Sequence, residues 1–375
     1  MRTQNLWLGV GILCLAAPLC GEEAGIAETL KLPEAAVKTP LRSVYFADDK
    51  KGWIVGGTGL IFATVDGGAT WTAQESGSKA NLRGVRFKDP DHGWVVGEGD
   101  PAAPAPRGHV VMGRAMKSGT LLSTEDGGKT WKGAWVPTNF DLSCVEVSTA
   151  PILQVGVMGT PEHQDSSVTR TTDGGAKWDS YRCFRALYDI RALDDKHWVA
   201  VGARVQVGFM PEPQDPLYQA KTCRALYSRD EGKTWKVSKG SEGNPTLRGL
   251  AVKKGEPVIA VGDGGTILHS EDFGETWAPV EAAPKVKLRA AAFAGDELSM
   301  VVAVGVDGGF YASTDSGRTW KPVPVGQAAT LNSVVWAGDG FVAVGDNGTA
   351  IRISAKKIAD ALAAAKVEVP APPVK

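Results

Sequence analysis

A short pattern ending in tryptophan returns six times along this chain, and that recurrence limits the possible folds more than any other feature. Each copy reads Ser or Thr, any residue, Asp, a tight glycine-containing turn, then Trp. The copies are Thr64 to Trp71 (TVDGGATW), Thr124 to Trp131 (TEDGGKTW), Thr171 to Trp178 (TTDGGAKW), Ser228 to Trp235 (SRDEGKTW), Ser270 to Trp277 (SEDFGETW) and Ser313 to Trp320 (STDSGRTW). Each closes a larger unit that opens on an alternating run, such as Leu41 to Phe46 (LRSVYF), Leu247 to Val252 (LRGLAV) or Leu331 to Trp336 (LNSVVW). A second run follows, such as Gly52 to Gly56 (GWIVG), and then a third, such as Gly265 to Ser270 (GTILHS). Unit starts fall at Leu41, Leu82, Leu142, Leu187, Leu247, Leu288 and Leu331.

Period-two alternation bounded by glycine marks short strands, and four such strands in a repeat of about 40 to 50 residues mark propeller blades. The expected fold is all-β: a seven-bladed β-propeller of four-stranded antiparallel blades over residues 28–354. The seventh unit ends at Ser354 with no Asp-box and no fourth strand. The stretch around Glu28 to Leu32 (ETLKL) lies where a preceding blade's outer strand would lie, so it is expected to supply the missing strand and close the ring. Closure of that kind removes two exposed sheet edges.

The repeated Asp and Trp have a mechanical reading. The six aspartates (Asp66, Asp126, Asp173, Asp230, Asp272 and Asp315) can accept turn N–H groups. The glycines supply positive φ. The tryptophans (Trp71, Trp131, Trp178, Trp235, Trp277 and Trp320) can bury large apolar surfaces over the turns. Identical residues in six blades cannot share one active site, so these are structural Asp-boxes.

Outside the repeats, Arg2 followed by Leu6 to Leu19 (LWLGVGILCLAAPL) reads as a signal peptide over residues 1–21, with cleavage between 21 and 27. An acylated Cys20 would need small residues before it, and Leu19 stands there, so plain export ranks above lipidation. The expected location is the periplasm or extracellular space, with no membrane span once the signal is removed. Residues 355–375 comprise a short surface helix (AKKIADALAAAK) and a flexible proline-rich tail. Cys144, Cys183 and Cys223 remain after export; Cys183–Cys223 is a candidate disulfide, and three unpaired buried thiols are the alternative. Lys plus Arg (41) nearly cancels Asp plus Glu (42), which argues against nucleic acid as a partner. No metal motif, phosphate loop or cofactor signature stands out.

Function must therefore come from what differs between units. Three consecutive units carry extensions between their second and third strands: Glu98 to Ser118, Gly159 to Ser166, and Ala203 to Thr222. They are expected to crowd one sector of the face opposite the Asp-boxes. On the same face, Arg42, Arg83, Arg248 and Arg289 hold the second position of the first strand, at the mouth of the central channel; Ser143, Tyr188 and Asn332 hold it elsewhere. These arginines can grip a carboxylate or phosphate through bidentate forks, or can each pair with a neighbouring blade's carboxylate or a loop carbonyl. Arg107, Arg114 and Arg204 in the extensions would add to the field, and Met112, Met116, Phe209 and Met210 offer adaptable apolar contact.

The combination of LRxV first strands, GWxVG second strands and DGGxTW endings resembles the photosystem II stability and assembly factor family, over Leu41 to Ser354. The resemblance implies a non-catalytic exported propeller, lumenal in a photosynthetic host, that binds a protein or peptide client such as a membrane-complex subunit; the chain is expected to be a monomer. It also implies an arginine-rich client-binding side, from which three of the seven blades here depart. The alternative is a sialidase-like or other glycoside hydrolase, since Asp-box propellers also serve those enzymes. The early FRIP-like segment of sialidases is missing, and facing carboxylates would have to come from Glu98, Asp100, Glu162, Asp165, Glu212 or Asp215. His109 and His163 follow no metal-ligand spacing.

Overall fold

A computed structural model describes residues 25–364, apart from 103–109, 112–113, 116–118, 139, 150–151, 159–165, 184–185, 204–223, 281–284 and 296–298. Seven four-stranded antiparallel sheets are arranged as blades. The innermost strands are Leu41–Phe46, Leu82–Phe87, Asp141–Val147, Leu187–Ala192, Leu247–Ala251, Leu288–Phe293 and Leu331–Ala337, numbered blades one to seven in that order. The second strands of blades one and five, Gly52–Gly56 (GWIVG) and Val258–Gly262 (VIAVG), are buried along their whole length. Continuous apolar runs of this kind suit strands covered on both faces by neighbouring blades.

Ring closure follows the expectation. Glu28–Thr29 pairs antiparallel with the third strand of blade seven, Ala350–Ser354, with Glu28 opposite Arg352 and Thr29 opposite Ile351. The last blade is thus built from both ends of the chain.

Each Asp-box is a hydrogen-bonded staple. In blade one, Thr64 Oγ1 donates to Asp66 Oδ1 at 2.7 Å and accepts the Gly68 N–H at 2.9 Å. Asp66 also accepts the Thr70 N–H at 2.9 Å and the Thr70 hydroxyl at 2.6 Å. These bonds hold the Asp66 carboxyl down at about 2, the Thr70 hydroxyl contributing most. Asp126, Asp230, Asp272 and Asp315 repeat the arrangement, and Asp173 accepts the Lys177 N–H where the others have Thr. The second glycine of the turn keeps a positive φ throughout, as at Gly68 (92°). The first does not need to be glycine: Glu231, Phe273 and Ser316 hold that place in blades four to six with φ of 65°, 62° and 57°.

The tryptophans fill the seams between blades. Trp71 packs with Val342 and Val344 of blade seven, Trp235 with Cys144 and Ile152 of blade three, and Trp277 with Val199 and Val201 of blade four. Trp131, Trp178 and Trp320 sit half-buried in the corresponding seams. The seam between blades six and seven lacks an Asp-box tryptophan. There the helix Ala355–Ala364 inserts Ile358 and Leu362 beside Met300 and Val302 of blade six and Phe341 of blade seven. The C-terminal helix lies on the surface, but its buried face takes the place of the seventh wedge.

The two ends of the ring are identified by their hydrogen bonds. Asp-box turns bond the turns that follow the innermost strands, as in Gly67 N–H to Lys50 O and Gly127 N–H to Asp91 O. At the other end, loops after the second strands bond the loops leading into the innermost strands: Glu98 N–H to Asn81 O, Asp263 N–H to Thr246 O, and Asp346 N–H to Thr330 O. The roots of all three extensions lie at this second end.

Candidate functional site

Every innermost strand has the same irregularity, and it builds the channel mouth. The register with the second strand skips one residue between Leu41 and Ser43, Leu82 and Gly84, Leu142 and Cys144, Leu187 and Asp189, Leu247 and Gly249, Leu288 and Ala290, and Leu331 and Ser333. The skipped residue is a β-bulge, which re-aims a side chain out of simple alternation. Arg42, Arg83, Ser143, Tyr188, Arg248, Arg289 and Asn332 are the seven skipped residues, and all of them line one cavity of about 450 Å³. The sequence pattern places these residues at the mouth; the bulge is the reason they face it together with the third-position residues Ser43, Cys144 and Asp189.

The four arginines differ in how they are held. Arg83 Nη2 donates to Glu98 Oε1 at 2.6 Å. Arg248 forms a bidentate pair with Asp263, Nε to Oδ1 at 2.5 Å and Nη2 to Oδ2 at 2.8 Å, and lies 4.9 Å over the Tyr188 ring. Arg42 reaches Asp346 only at 3.9 Å, and that carboxylate also accepts from Asn332 Nδ2 at 2.8 Å. Arg289 has no ion pair or hydrogen bond among the described residues, and its Nε is buried without a partner. Burial and the adjacent Arg248 lower the pKa of its guanidinium. For Glu98, burial opposes ionisation, but hydrogen bonds from Asn81 and the charge of Arg83 outweigh it and the carboxyl is lowered. Asp263 is lowered in the same way, mainly by Arg248.

The partners of Arg83 and Arg248 thus come from the same blade, Glu98 from the end of its second strand and Asp263 from the turn after it, not from a neighbouring blade. Around the ring the arginines occupy blades five, six, one and two, with Asn332 of blade seven inside that arc. Ser143 and Tyr188 complete the circle on blades three and four, two of the three blades that carry extensions. Asp100, at the root of the first extension, accepts the Ser78 hydroxyl at 2.6 Å and the Lys79 N–H at 3.0 Å.

Several expected residues fall elsewhere. Arg107, Arg204, Met112, Met116, Phe209, Met210, His109, His163, Glu162, Asp165, Glu212 and Asp215 lie outside the described residues. Arg114 belongs to a small hairpin, Val110–Val111 with Arg114–Ala115, of which only the backbone is described. Cys223 is likewise outside, so the Cys183–Cys223 pairing is not described; Cys183 ends the outer strand of blade three rather than leading into blade four. Cys144 is a buried free thiol in the channel wall, pushed up to about 12 by burial and by Asp189. No group of three or more metal-ligating side chains occurs among the described residues.

One feature of the site has no counterpart in the sequence reading. Below the mouth, Arg86 and Arg191 meet Glu146 and Asp189 in the middle of the channel. Arg86 Nε donates to Glu146 Oε2 at 3.1 Å, and Arg191 Nη1 reaches Glu146 at 3.5 Å and Asp189 Oδ1 at 2.5 Å. Both arginines line the mouth cavity and also a second cavity beyond it. Two guanidiniums and two carboxylates from blades two, three and four form a partial partition between the two cavities. Burial raises the pKa of the Asp189 carboxyl against the pull of Arg191 and Arg86. Each member sits at an ordinary alternation position, so only ring closure reveals their meeting.

Comparison with known proteins bears on this geometry. The model of a family described as Photosynthesis system II assembly factor YCF48 matches residues 24–101, which hold the closing strand, blade one and the first half of blade two. The Photosystem II assembly lipoprotein Ycf48 of Prochlorococcus marinus is 24% identical over 263 residues, covering 62% of this chain and 72% of its own. A solved structure of YCF48 bound to D1 peptide superposes with a TM-score of 0.63 at 18% identity, over 88% of this chain and 96% of that one. A virginiamycin B lyase from Staphylococcus aureus superposes equally well, with a TM-score of 0.64 at 14% identity over 88% and 98% of the two chains. At such identities the solved structures speak for the fold, which serves enzymes and non-enzymes alike. In sequence, and blade for blade in fold, the chain is similar to the YCF48 family of photosystem II assembly factors.

Proposed function

We propose that this protein is an exported, non-catalytic scaffold that docks a protein or peptide client at the arginine-lined channel mouth. The observation that carries the reading is the cavity into which seven bulges turn Arg42, Arg83, Arg248 and Arg289, with Arg289 left without an acceptor. A half-buried guanidinium among like charges favours an incoming anion, and a peptide carboxylate or acidic side chain presents the matching two-oxygen fork. The extensions of blades two to four, with Arg107, Arg114 and Arg204, complete the docking face in this reading. The client is a membrane-complex subunit, in keeping with a family whose members are described as photosystem II assembly factors and with a related ring bound to D1 peptide.

Of the carboxylates expected to serve a glycosidase, the two that are described, Glu98 and Asp100, do not fit the role of the acid. A glycosidase needs an acid with a raised pKa. Glu98 is instead lowered and bound to Arg83 and Asn81, while Asp100 is engaged by Ser78 and Lys79. Export rests on residues 1–21; a curated relative is described as a lipoprotein, which makes Cys20 the residue to examine for acylation. No helix among the described residues is long and apolar enough to cross a membrane.

The test is affinity capture from the native host with wild-type protein and an Arg289→Glu variant of equal thermal stability. The reading requires an exported or membrane polypeptide retained by the wild type and lost by the variant. Equal retention, or turnover of reporter glycosides by the wild type, defeats it.

A further inference from the structure

Beyond the partition lies a second cavity of about 680 Å³, lined by the fourth to sixth residues of the innermost strands and opening towards the Asp-box end. Its two halves differ in chemistry. The fifth residue of the strand is Tyr45, Arg86, Glu146 and Arg191 on blades one to four, but Ala251, Ala292 and Val335 on blades five to seven. Short apolar side chains leave open space on one side, and a polar wall faces it from the other. The 680 Å³ includes space open to solvent. The volume comparable with known sites is about 230 Å³, below the usual range of about 300 to 1,000 Å³, so only a small ligand suits it. Such sites typically combine apolar walls with a few fixed polar groups.

The polarity that remains available in that wall is of one kind. Both oxygens of Glu146 are occupied, Oε2 by Arg86 and Arg191 and Oε1 by the Val147 N–H. The Tyr45 hydroxyl donates its proton to Phe87 O at 2.9 Å. Arg191 uses Nη1 alone for Glu146, Asp189 and Ile190 O. Its Nε and Nη2, and the Nη2 of Arg86, have no hydrogen bond among the described residues, yet they are not among the atoms sealed from solvent without a partner. The partition therefore turns spare N–H donors towards the cavities, while its two positive charges are balanced by two negative ones.

We propose that this second cavity binds a small molecule with an apolar body and a hydrogen-bond-accepting end, a carbonyl or a carboxylate. The body lies against Ala251, Ala292 and Val335, and the accepting end meets the guanidinium donors of Arg191 and Arg86. The site lies on the far side of the ionic cluster from the client mouth, with Arg86 and Arg191 lining both cavities. A balanced partition meets a neutral carbonyl as readily as an anion, so the two head groups must be compared directly.

The experiment titrates 3-phenylpropionamide and 3-phenylpropionate into the full chain, following binding by calorimetry and by saturation-transfer NMR. Ala292→Phe and Val335→Phe, from different blades, each fill the open half of the cavity, and thermal melts establish which of them fold. Arg289→Glu serves as a control at the mouth. The proposal expects at least one probe to bind, with affinity lost at least tenfold in each folded filling variant and unchanged in Arg289→Glu. Binding of the amide alone assigns a neutral acceptor, and binding of the acid alone assigns an anion. Failure of both probes to bind wild type, wild-type affinity in a folded filling variant, or an equal loss in Arg289→Glu overturns it.

Discussion

Asp189, on the innermost strand of blade four, accepts the backbone N–H of Leu250 on blade five through Oδ2 at 2.9 Å. Its other oxygen accepts from Arg191 and from the Ile190 N–H. One buried carboxylate thus joins two blades and anchors the channel partition. Asp189→Ala leaves Arg191 without its closest counter-charge and Leu250 without its acceptor. Removing one member of a buried ionic pair typically costs about 3–5 kcal/mol. Asp189→Asn retains an acceptor for Leu250 and is expected to cost less. Urea denaturation of the two variants beside wild type checks the order.

At the mouth, the arginines should not be equivalent. Arg83 and Arg248 hold carboxylates of their own blades, whereas Arg289 has no such partner among the described residues. Arg289→Glu is expected to weaken client capture about 30-fold or more, since losing a partly desolvated charge contact costs about 2–5 kcal/mol. The same change should leave the melting temperature near that of wild type, because no internal bond is lost. Arg248→Ala frees Asp263 and should lower both. Parallel capture assays and thermal melts separate these outcomes.

The C-terminal helix is expected to matter for stability despite its surface position. Ile358 is fully buried in the seam between blades six and seven. Ile358→Ala should cost about 2–4 kcal/mol, the usual range for truncating a buried aliphatic side chain. Lys357→Ala, on the exposed face, should cost much less. Chemical denaturation of the pair measures the difference.

Acid should loosen the staples before it affects the seams. Asp66 and Asp126 are held at about 2, below the ordinary value of 3.8, so their folded forms bind fewer protons than the unfolded chain in between. Their contribution is full above about pH 4 and is lost as pH falls through the interval towards 2. Thermal midpoints measured from pH 6 to pH 2 should fall in that interval. Asp66→Asn should show a lower midpoint at pH 6 and a flatter profile below pH 4.

Backbone strain offers a gain. Ser316 holds φ 57° at a place where blades one to three carry glycine. The left-handed region costs an L-residue about 1–2 kcal/mol, part of which glycine returns as entropy of the unfolded chain. Ser316→Gly is expected to stabilise by about 0.5–1 kcal/mol. Phe273→Gly should gain less, because Phe273 stacks on His197 with ring centroids 4.4 Å apart. Denaturation midpoints of both variants test the contrast.

Much of the ring was legible because its information is local and repeated. Leu41, Leu82 and their counterparts begin each blade, and each Asp-box names its own turn. The mouth was legible for the same reason, since the second position follows a loop in every unit. What escaped is what depends on closure. Arg86, Glu146, Asp189 and Arg191 occupy unremarkable strand positions and become neighbours only when blades two to four curve around an axis. The four-residue spacing of Ile358 and Leu362 marks a helix face, but nothing in the sequence says which seam receives it. The bulges were also hidden, because one extra residue leaves a run such as LRSV looking like plain alternation.

The pairing of Glu28–Thr29 with Ala350–Ser354 has a consequence for how the molecule comes to be. A polypeptide emerging amino end first, from a ribosome or a translocation pore, holds one half of this clasp long before the other half exists. The final contact therefore has nearly the greatest sequence separation the chain allows, and bringing such distant segments together carries an entropic cost that grows with their separation. Circular permutation that moves the chain ends into a surface turn, leaving the clasp inside one continuous segment, would shorten that last search and speed refolding while the finished ring stays the same.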